Sequence, residues 1–567
     1  MEAQYLQLDK DSSQGCLPFN AFGFLKHARR RADPRVIGSS QSSAFMKCRL
    51  QRRFSTWREI QGVTHQPGIS IGIIYNGDEI LKHNIGVMDV ATKKEPNSDT
   101  LYCIASLSKA FMAESIELLI SDGHITWDTT IQSVIPEFKH REDPQQFSKM
   151  TMRDICSHRT GVIGLDEITQ GLNGRILIPK KDVVKVCSAM PIKHAFRTKF
   201  HYNNGMYELA GCVVERLSRS PTWGHFQNDR IFTPLQMTRT TAFRSIHETD
   251  NNIAKSYMIL ENGEPQYIPP TELSADSMNG GSGGIRSSVN DLLKWCSYQL
   301  NRSTQKPKRA DKNGAHASVF NRAIIANSQS PLDGDYCTGW CYHQTPAKLG
   351  LISPNRILES PVVGLKSPSL VIYSHQGDVP GYTCNLYIIP DAQAAIVVLS
   401  NGTGLGDATD WIAQDILQTM FKLKPKVDMI KAARKAAADY RDYYHKNFEE
   451  PLERHRQIDL KPVPLDEFLG TYVMKNLDIV TLRMTATKKS ERLQMIVNDQ
   501  ADQVWTMKYY ADDTFCHLPD TYNECLAKGI NRTKWDTFLI TFNRDEKGKI
   551  INCSWKLDGI DVIFNRV

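Results

Sequence analysis

The sequence predicts an α+β fold: an antiparallel sheet flanked by helices with a helical subdomain, followed by a small C-terminal β-barrel. Three observations lead there. A strand hairpin appears early, apolar runs of helical period fill the middle, and a series of short strands closes the chain. At 567 residues the chain exceeds what one ordinary core accommodates, so a large domain and at least one smaller one are expected.

Residues 1–56 contain KHARRRADPR and KCRLQRRF without sustained periodicity, and read as a basic, disordered leader. The hairpin opens a large domain expected over residues 57–425. Ile69 to Tyr75 is an apolar run, Asn76-Gly77 is a hairpin turn, and EILKHNIGV returns as the second strand. Phe111, Met112, Ser115, Ile116, Leu119 and Ile120 then recur at helical spacing until Gly123 ends the helix. GMYELAGCVVERLS and SSVNDLLKWCSYQL are further helices, the second opened by Ser288 and Asp291 as a capping box. SLVIYSHQG, CNLYIIPD and AAIVVLSN are late strands, so the first and last strands of the sheet are expected to meet.

A charged helical connector is expected over 426–462 and an all-strand domain over 463–567, in which IVTLRMTA, LQMIVN, QVWTMKYY, TFLITFN, IINCSWKL and DVIFN are strands of a small barrel or sandwich. Nothing in this last domain has catalytic spacing. It is expected to pack on the large domain or to shape the mouth of its site.

Composition narrows the function. With 41% hydrophobic and 23% charged residues the chain has the make-up of a soluble globular protein, and a net charge of +7 is small for its length. The basic residues that cluster do so in the leader, so no nucleic-acid partner is expected. No run of ~18 apolar residues occurs, so no membrane span is expected. MEAQYLQLDKDSSQG is acidic and polar where a signal peptide needs a basic start and an apolar stretch. A cytoplasmic location follows, with organelle targeting by the basic leader left open. Thirteen scattered cysteines, an odd number without a CxxC pair, read as free buried thiols; Cys337 and Cys341 come nearest to a pair.

The chemistry centres on CIASLSKAF. Positions three apart on a helix share a face, which puts the Lys109 amine beside the Ser106 hydroxyl. A serine needs a base within ~2.6–3.2 Å to become a nucleophile, and a lysine kept neutral by burial can be that base. Ser-x-x-Lys alone is most often a solvated helix face. Two further stretches give it weight. Tyr202, Asn203 and Asn204 stand just before a helix, where a phenol can relay the serine proton and an amide can hold the lysine and a substrate carbonyl. His375, Gln376 and Gly377 end a strand, where the glycine lets a substrate approach backbone N–H groups that complete an oxyanion hole.

In this order and at these separations, the three stretches resemble the motifs of penicillin-binding proteins and class C β-lactamases. The resemblance extends through DTLYCIASLSKAF, GHITWDTTIQSVIPEF, MTMRDICSHRTGV, GGIRSSVNDLLKW and SHQGDVPGY, covering about residues 62–425. It implies a β-lactamase/transpeptidase-like fold that needs no metal or cofactor. By the same resemblance Ser106 is the acylated nucleophile, Lys109 its base, and Tyr202 the proton shuttle that also activates the acceptor. Asn204 positions substrate, and the N–H groups of Ser106 and Asp378, beside Gly377, form the oxyanion hole. His158 and GGSGG also match the family, and helix capping and tight backbone approach account for them.

One position departs from the family. His375 stands where peptidases and β-lactamases have the lysine of Lys-Thr-Gly, and a neutral imidazole serves an anionic substrate less well. Histidine there is common among the family's esterases and acyltransferases, including fungal enzymes of secondary metabolism. The implied substrate is a small-molecule acyl ester or carrier-bound acyl thioester, with water or an alcohol as acceptor. A D-amino-acid peptidase or β-lactamase, and a non-catalytic binding protein that retains the fold, remain open. The terminal β-domain resembles the lipocalin-like module of some family members. Oligomeric state is not legible.

Overall fold

The computed structural model describes residues 40–304, 332–457, 463–486, 492–530 and 534–567. Its centre is a seven-stranded sheet built from β1 (Gly68–Tyr75), β2 (Asp78–Gly86), β3 (Asp335–Cys337), β4 (Trp340–Gln344), β5 (Val371–Val379), β6 (Tyr382–Ile389) and β7 (Ala394–Ser400), in the order β2-β1-β7-β6-β5-β4-β3. Asn76 and Gly77 both take left-handed backbone, as a tight two-residue hairpin requires. The first and last strands meet as expected, with Ile69 opposite Ser400.

Every residue of β1 is buried, because helices cover both faces of the sheet. Ile69, Ile71 and Ile73 face one apolar cluster that contains Trp57, Ile60, Trp411, Ile412 and Ile416. The opposite face packs on the helix Val289–Thr304, and a Cβ on Gly72 would come within 2.6 Å of Val289, so only glycine lets helix and sheet approach this closely. That helix is half a capping box. Ser288 Oγ accepts from the Asp291 N–H at 3.3 Å, but the Asp291 carboxylate turns away to the Arg239 N–H and the Thr240 hydroxyl.

The disordered leader is corrected where it can be seen. Residues 1–39 lie outside the described residues, but Ser40–Gln51 and Phe54–Thr64 are helices. Met46 and Leu50 are buried one turn apart, and Asp415 accepts from Arg53 at 2.7 Å and from the Trp57 indole at 3.0 Å. The basic residues that hid this apolar stripe lie on the solvent side or, in the case of Arg53, pair with the domain.

The connector is helical over Met429–Tyr444 and Glu450–His455. Ala433 and Ala436 belong to the sheet's cluster, whereas Tyr444, Phe448 and Leu452 pack with Tyr522 and Phe538 of the terminal domain. The connector is therefore bonded into both. The terminal domain is a closed eight-stranded barrel of β8 (Gly470–Met474), β9 (Thr481–Ala486), β10 (Leu493–Val497), β11 (Val504–Ala511), β12 (Thr514–Cys516), β13 (Leu539–Arg544), β14 (Ile550–Leu557) and β15 (Ile560–Arg566). β8 and β15 close the ring, with Tyr472 opposite Arg566. Of the twelve described cysteines ten are buried, Cys337 and Cys341 included. Among the described residues no helix is long and apolar enough to cross a membrane.

Candidate active site

Ser106 lies in the 3₁₀ turn Ala105–Leu107 that leads into the helix Ser108–Ser121, and Ala105 before it has left-handed backbone at φ 45°. Two neighbours pin this turn. The Ile104 N–H donates to Ile285 O at 3.0 Å, and β5 passes so close that a Cβ on Gly377 would stand 2.2 Å from Ile104 O. Gly377 is thus needed for the approach of the serine's own turn.

One helical turn on, Lys109 Nζ lies 2.8 Å from Ser106 Oγ, 2.8 Å from Asn204 Oδ1 and 3.0 Å from Ser282 O. The side chain is fully buried, with the Tyr202 ring 4.6 Å and the Tyr207 ring 5.5 Å from the amine. The half-buried Tyr202 places its hydroxyl 2.8 Å from Ser106 Oγ. One hydroxyl therefore sits between an amine and a phenol, each at hydrogen-bond distance. A proton can leave the serine to the amine and be delivered elsewhere by the phenol.

A family model described as Beta-lactamase matches residues 56–419. The chain belongs to the β-lactamase family. Among curated relatives, Unguisins hydrolase ungD of Aspergillus violaceofuscus is 25% identical over 59% of this chain and 58% of its own length. Protein flp of Staphylococcus aureus is 25% identical over 49% of this chain and 52% of its own. The chain thus spans between half and three fifths of these relatives. The octameric penicillin-binding protein homologue from Pyrococcus abyssi shares the fold at a TM-score of 0.52 and 17% identity, across 91% of this chain and all of that one. The serine-hydrolase fold of the β-lactamase family is therefore the frame in which the site sits.

Within that frame the structure brings together Ser106, Lys109, Tyr202 and Asn204, and redirects the other expected residues. Both polar ends of Asn204 are committed, Oδ1 to Lys109 and Nδ2 to Asp166 Oδ2 at 3.1 Å. It holds the lysine, as expected of this amide, and leans on Asp166 to do so. His375, by contrast, is corrected. Its ring is fully buried, Nδ1 donates to Gln376 O at 2.7 Å, and Nε2 takes a bond from the Tyr336 hydroxyl at 3.0 Å. Burial and the nearby Lys109 push its pKa down to about 3, so the ring is neutral. Tyr336 thus occupies Nε2, the ring nitrogen left after the Gln376 bond. Asp378, partly exposed and opposite Thr383 in β6, follows Gly377 at the edge of the site.

Several supporting residues lie outside the three motifs, and of these only His158 carried a sequence signal. His158, left-handed at φ 58°, closes the helix Met152–Cys156 as expected, its N–H donating to Ile155 O at 3.3 Å and the Arg159 N–H to Asp154 O at 2.9 Å. Its Nδ1 accepts from the Asn203 N–H at 3.1 Å and its ring lies 4.2 Å from that of Tyr202, so it also anchors the tyrosine segment. Burial, with Lys109 and His375 nearby, holds its pKa well below the ordinary value. Asp166 also accepts from Asn279 Nδ2 at 3.1 Å, tying the Asn204 support to the glycine-rich turn. Glu208 accepts from the Gly281 N–H and so fixes the turn that offers Ser282 O to Lys109. Burial pushes its carboxyl up to about 7. Among the described residues no group of three or more His, Cys, Asp or Glu could hold a metal ion.

Proposed function

We propose that the protein is a serine hydrolase or transesterase that works through an acyl-enzyme on Ser106. The observation that carries this reading is the pair of 2.8 Å approaches to Ser106 Oγ, from Lys109 Nζ and from the Tyr202 hydroxyl. Ser106 Oγ bonds to the acyl carbon as its proton passes to Lys109. The bond from that carbon to the leaving oxygen or sulfur then breaks, and Tyr202 supplies the leaving atom with a proton. In the second half, water or an alcohol gives up a proton through Tyr202 as it attacks the acyl carbon, and Ser106 leaves with its proton restored. The N–H groups of Ser106 and Asp378 hold the oxyanion in both halves.

The substrate is a small acyl ester or a carrier-bound acyl thioester. A neutral, covered His375 supports this over a D-amino-acid peptide or a β-lactam, whose carboxylate would want a cation there. The fungal hydrolase relative supports a place in secondary metabolism. Free buried thiols such as Cys156, Cys296 and Cys553 favour a cytoplasmic setting, and the eight barrel strands fit a lipocalin-like module.

Mass spectrometry after exposure to a fluorophosphonate, and to p-nitrophenyl esters of varied acyl length, tests the reading. An adduct on Ser106 is expected. Folded protein without one is a binding protein that retained the fold. Adding alcohols and measuring new ester against free acid separates transfer from hydrolysis.

A further inference from the structure

The barrel reaches the site at a point the reaction scheme leaves unused. The hairpin joining β14 to β15 turns at Asp558-Gly559, both left-handed, with φ of 45° and 79°. Its tip enters the catalytic domain. The Asp558 side chain is 3% exposed, with one oxygen 2.6 Å from His201 Nε2 and the other 2.9 Å from Lys193 Nζ.

His201 immediately precedes Tyr202. Its N–H donates to His158 O at 2.8 Å, and the N–H of Asn203 donates to His158 Nδ1 at 3.1 Å. The segment that carries the tyrosine is therefore held by one residue of its own domain and one of the barrel. A second barrel turn grips the other side of the site. Gln503 Oε1 accepts from the Leu172 N–H at 2.7 Å, and Asn498 Nδ2 donates to Leu177 O at 3.1 Å, on the stretch that follows Asp166 and its bond to Asn204. A buried carboxylate is costly without partners, and here its partner stands next to the phenol that faces the nucleophile.

We propose that the barrel is a positioning element of the active site, and that Asp558, acting through His201, sets the Tyr202 hydroxyl against Ser106. The proposal rests on the acyl-enzyme reading, in which Tyr202 protonates the leaving group. Loss of Asp558 then slows the steps that need the phenol and spares attack by the Ser106–Lys109 pair.

Asp558→Gly removes the carboxylate without straining a left-handed position, and Asp558→Asn keeps one acceptor oxygen. Full-length variants and wild type are compared on a p-nitrophenyl ester, whose leaving group departs as a stable anion, and on an alkyl ester of the same acyl group, which needs a proton. Expected for Asp558→Gly is a fall of about 100-fold in kcat/KM on the alkyl ester, a retained p-nitrophenol burst, and partial recovery in Asp558→Asn. Equal losses on both esters, or no loss in a folded variant, overturn the proposal. If Asp558→Gly does not fold, Asp558→Asn carries the same comparison, with about a 10-fold loss confined to the alkyl ester expected. Fluorophosphonate labelling of wild type reads the chemistry separately. No adduct on Ser106 defeats the acyl-enzyme reading, whereas an adduct with leaving-group dependence unchanged by the variants defeats only the role of Asp558.

Discussion

Ser106 and Lys109 share a single helical turn, whereas Tyr202 meets the same hydroxyl from 96 residues further along the chain. The first pair is assembled by local geometry, since positions three apart on a helix face one another wherever the helix forms. The tyrosine has no such guarantee. Its place depends on His158, on His201 and on a carboxylate from another domain. The comparison teaches that the nucleophile and its base start from one local geometry that tertiary contacts then pin, while the proton shuttle is placed by tertiary contacts alone and can be detuned from a distance.

The strongest way to break the comparison is at its shared atom. Ser106→Ala is expected to abolish the fluorophosphonate adduct and lower ester turnover by about four orders of magnitude or more, with the melting temperature little changed. Lys109→Ala is expected to lower the acylation rate by about 10³-fold, read from the p-nitrophenol burst. It also leaves Asn204 Oδ1 and Ser282 O without this donor, at about 1–3 kcal/mol of stability by denaturant unfolding. Tyr202→Phe sharpens the contrast. A loss of about 10²-fold is expected on alkyl esters and a smaller one in the p-nitrophenol burst, and equal losses would show that the phenol acts before the leaving group departs.

Two further changes spare the reacting groups. Asp415→Ala leaves Arg53 and the Trp57 indole without their carboxylate, so a loss of about 2 kcal/mol is expected with kcat/KM unchanged, showing that residues 40–64 belong to the domain's stability. The smallest effect concerns Glu208, whose carboxyl is raised from 4.5 to about 7 by burial. An acid raised in the folded state binds more protons there than in the unfolded chain. Its contribution is therefore fully present below about 4.5 and is lost as pH rises through about 7. Glu208→Gln is expected to flatten that part of the melting-temperature profile between these values. An unchanged profile would assign the slope to other buried carboxyls, such as Glu117 and Asp410, which are also raised to about 7.

Much of the fold was legible because periodicity reports burial. The Asn76-Gly77 turn, the helix after Ser106 and six of the eight barrel strands follow from alternation and spacing. β8 and β12 were missed. β12 has three residues, too few for a pattern, and β8 opens on a glycine. Residues 40–56 were misread because four lysines and arginines interrupt a stripe in which only Met46 and Leu50 are buried apolar residues. His375 was legible as the occupant of a motif position, but whether its ring faces substrate or Tyr336 is decided by what packs over it.

The sequence by itself determined which groups could react: a serine one turn from a lysine, a tyrosine and two asparagines at a helix start, and a glycine late in a strand. These depend on backbone geometry within a few residues, which composition and spacing encode. Only the tertiary structure decided how they are used. It turned Asn204 to the lysine and His375 to a tyrosine, and it brought Asp558 to His201. Such partners come from segments far apart in the chain, and close packing, which no local pattern encodes, selects which of them meet.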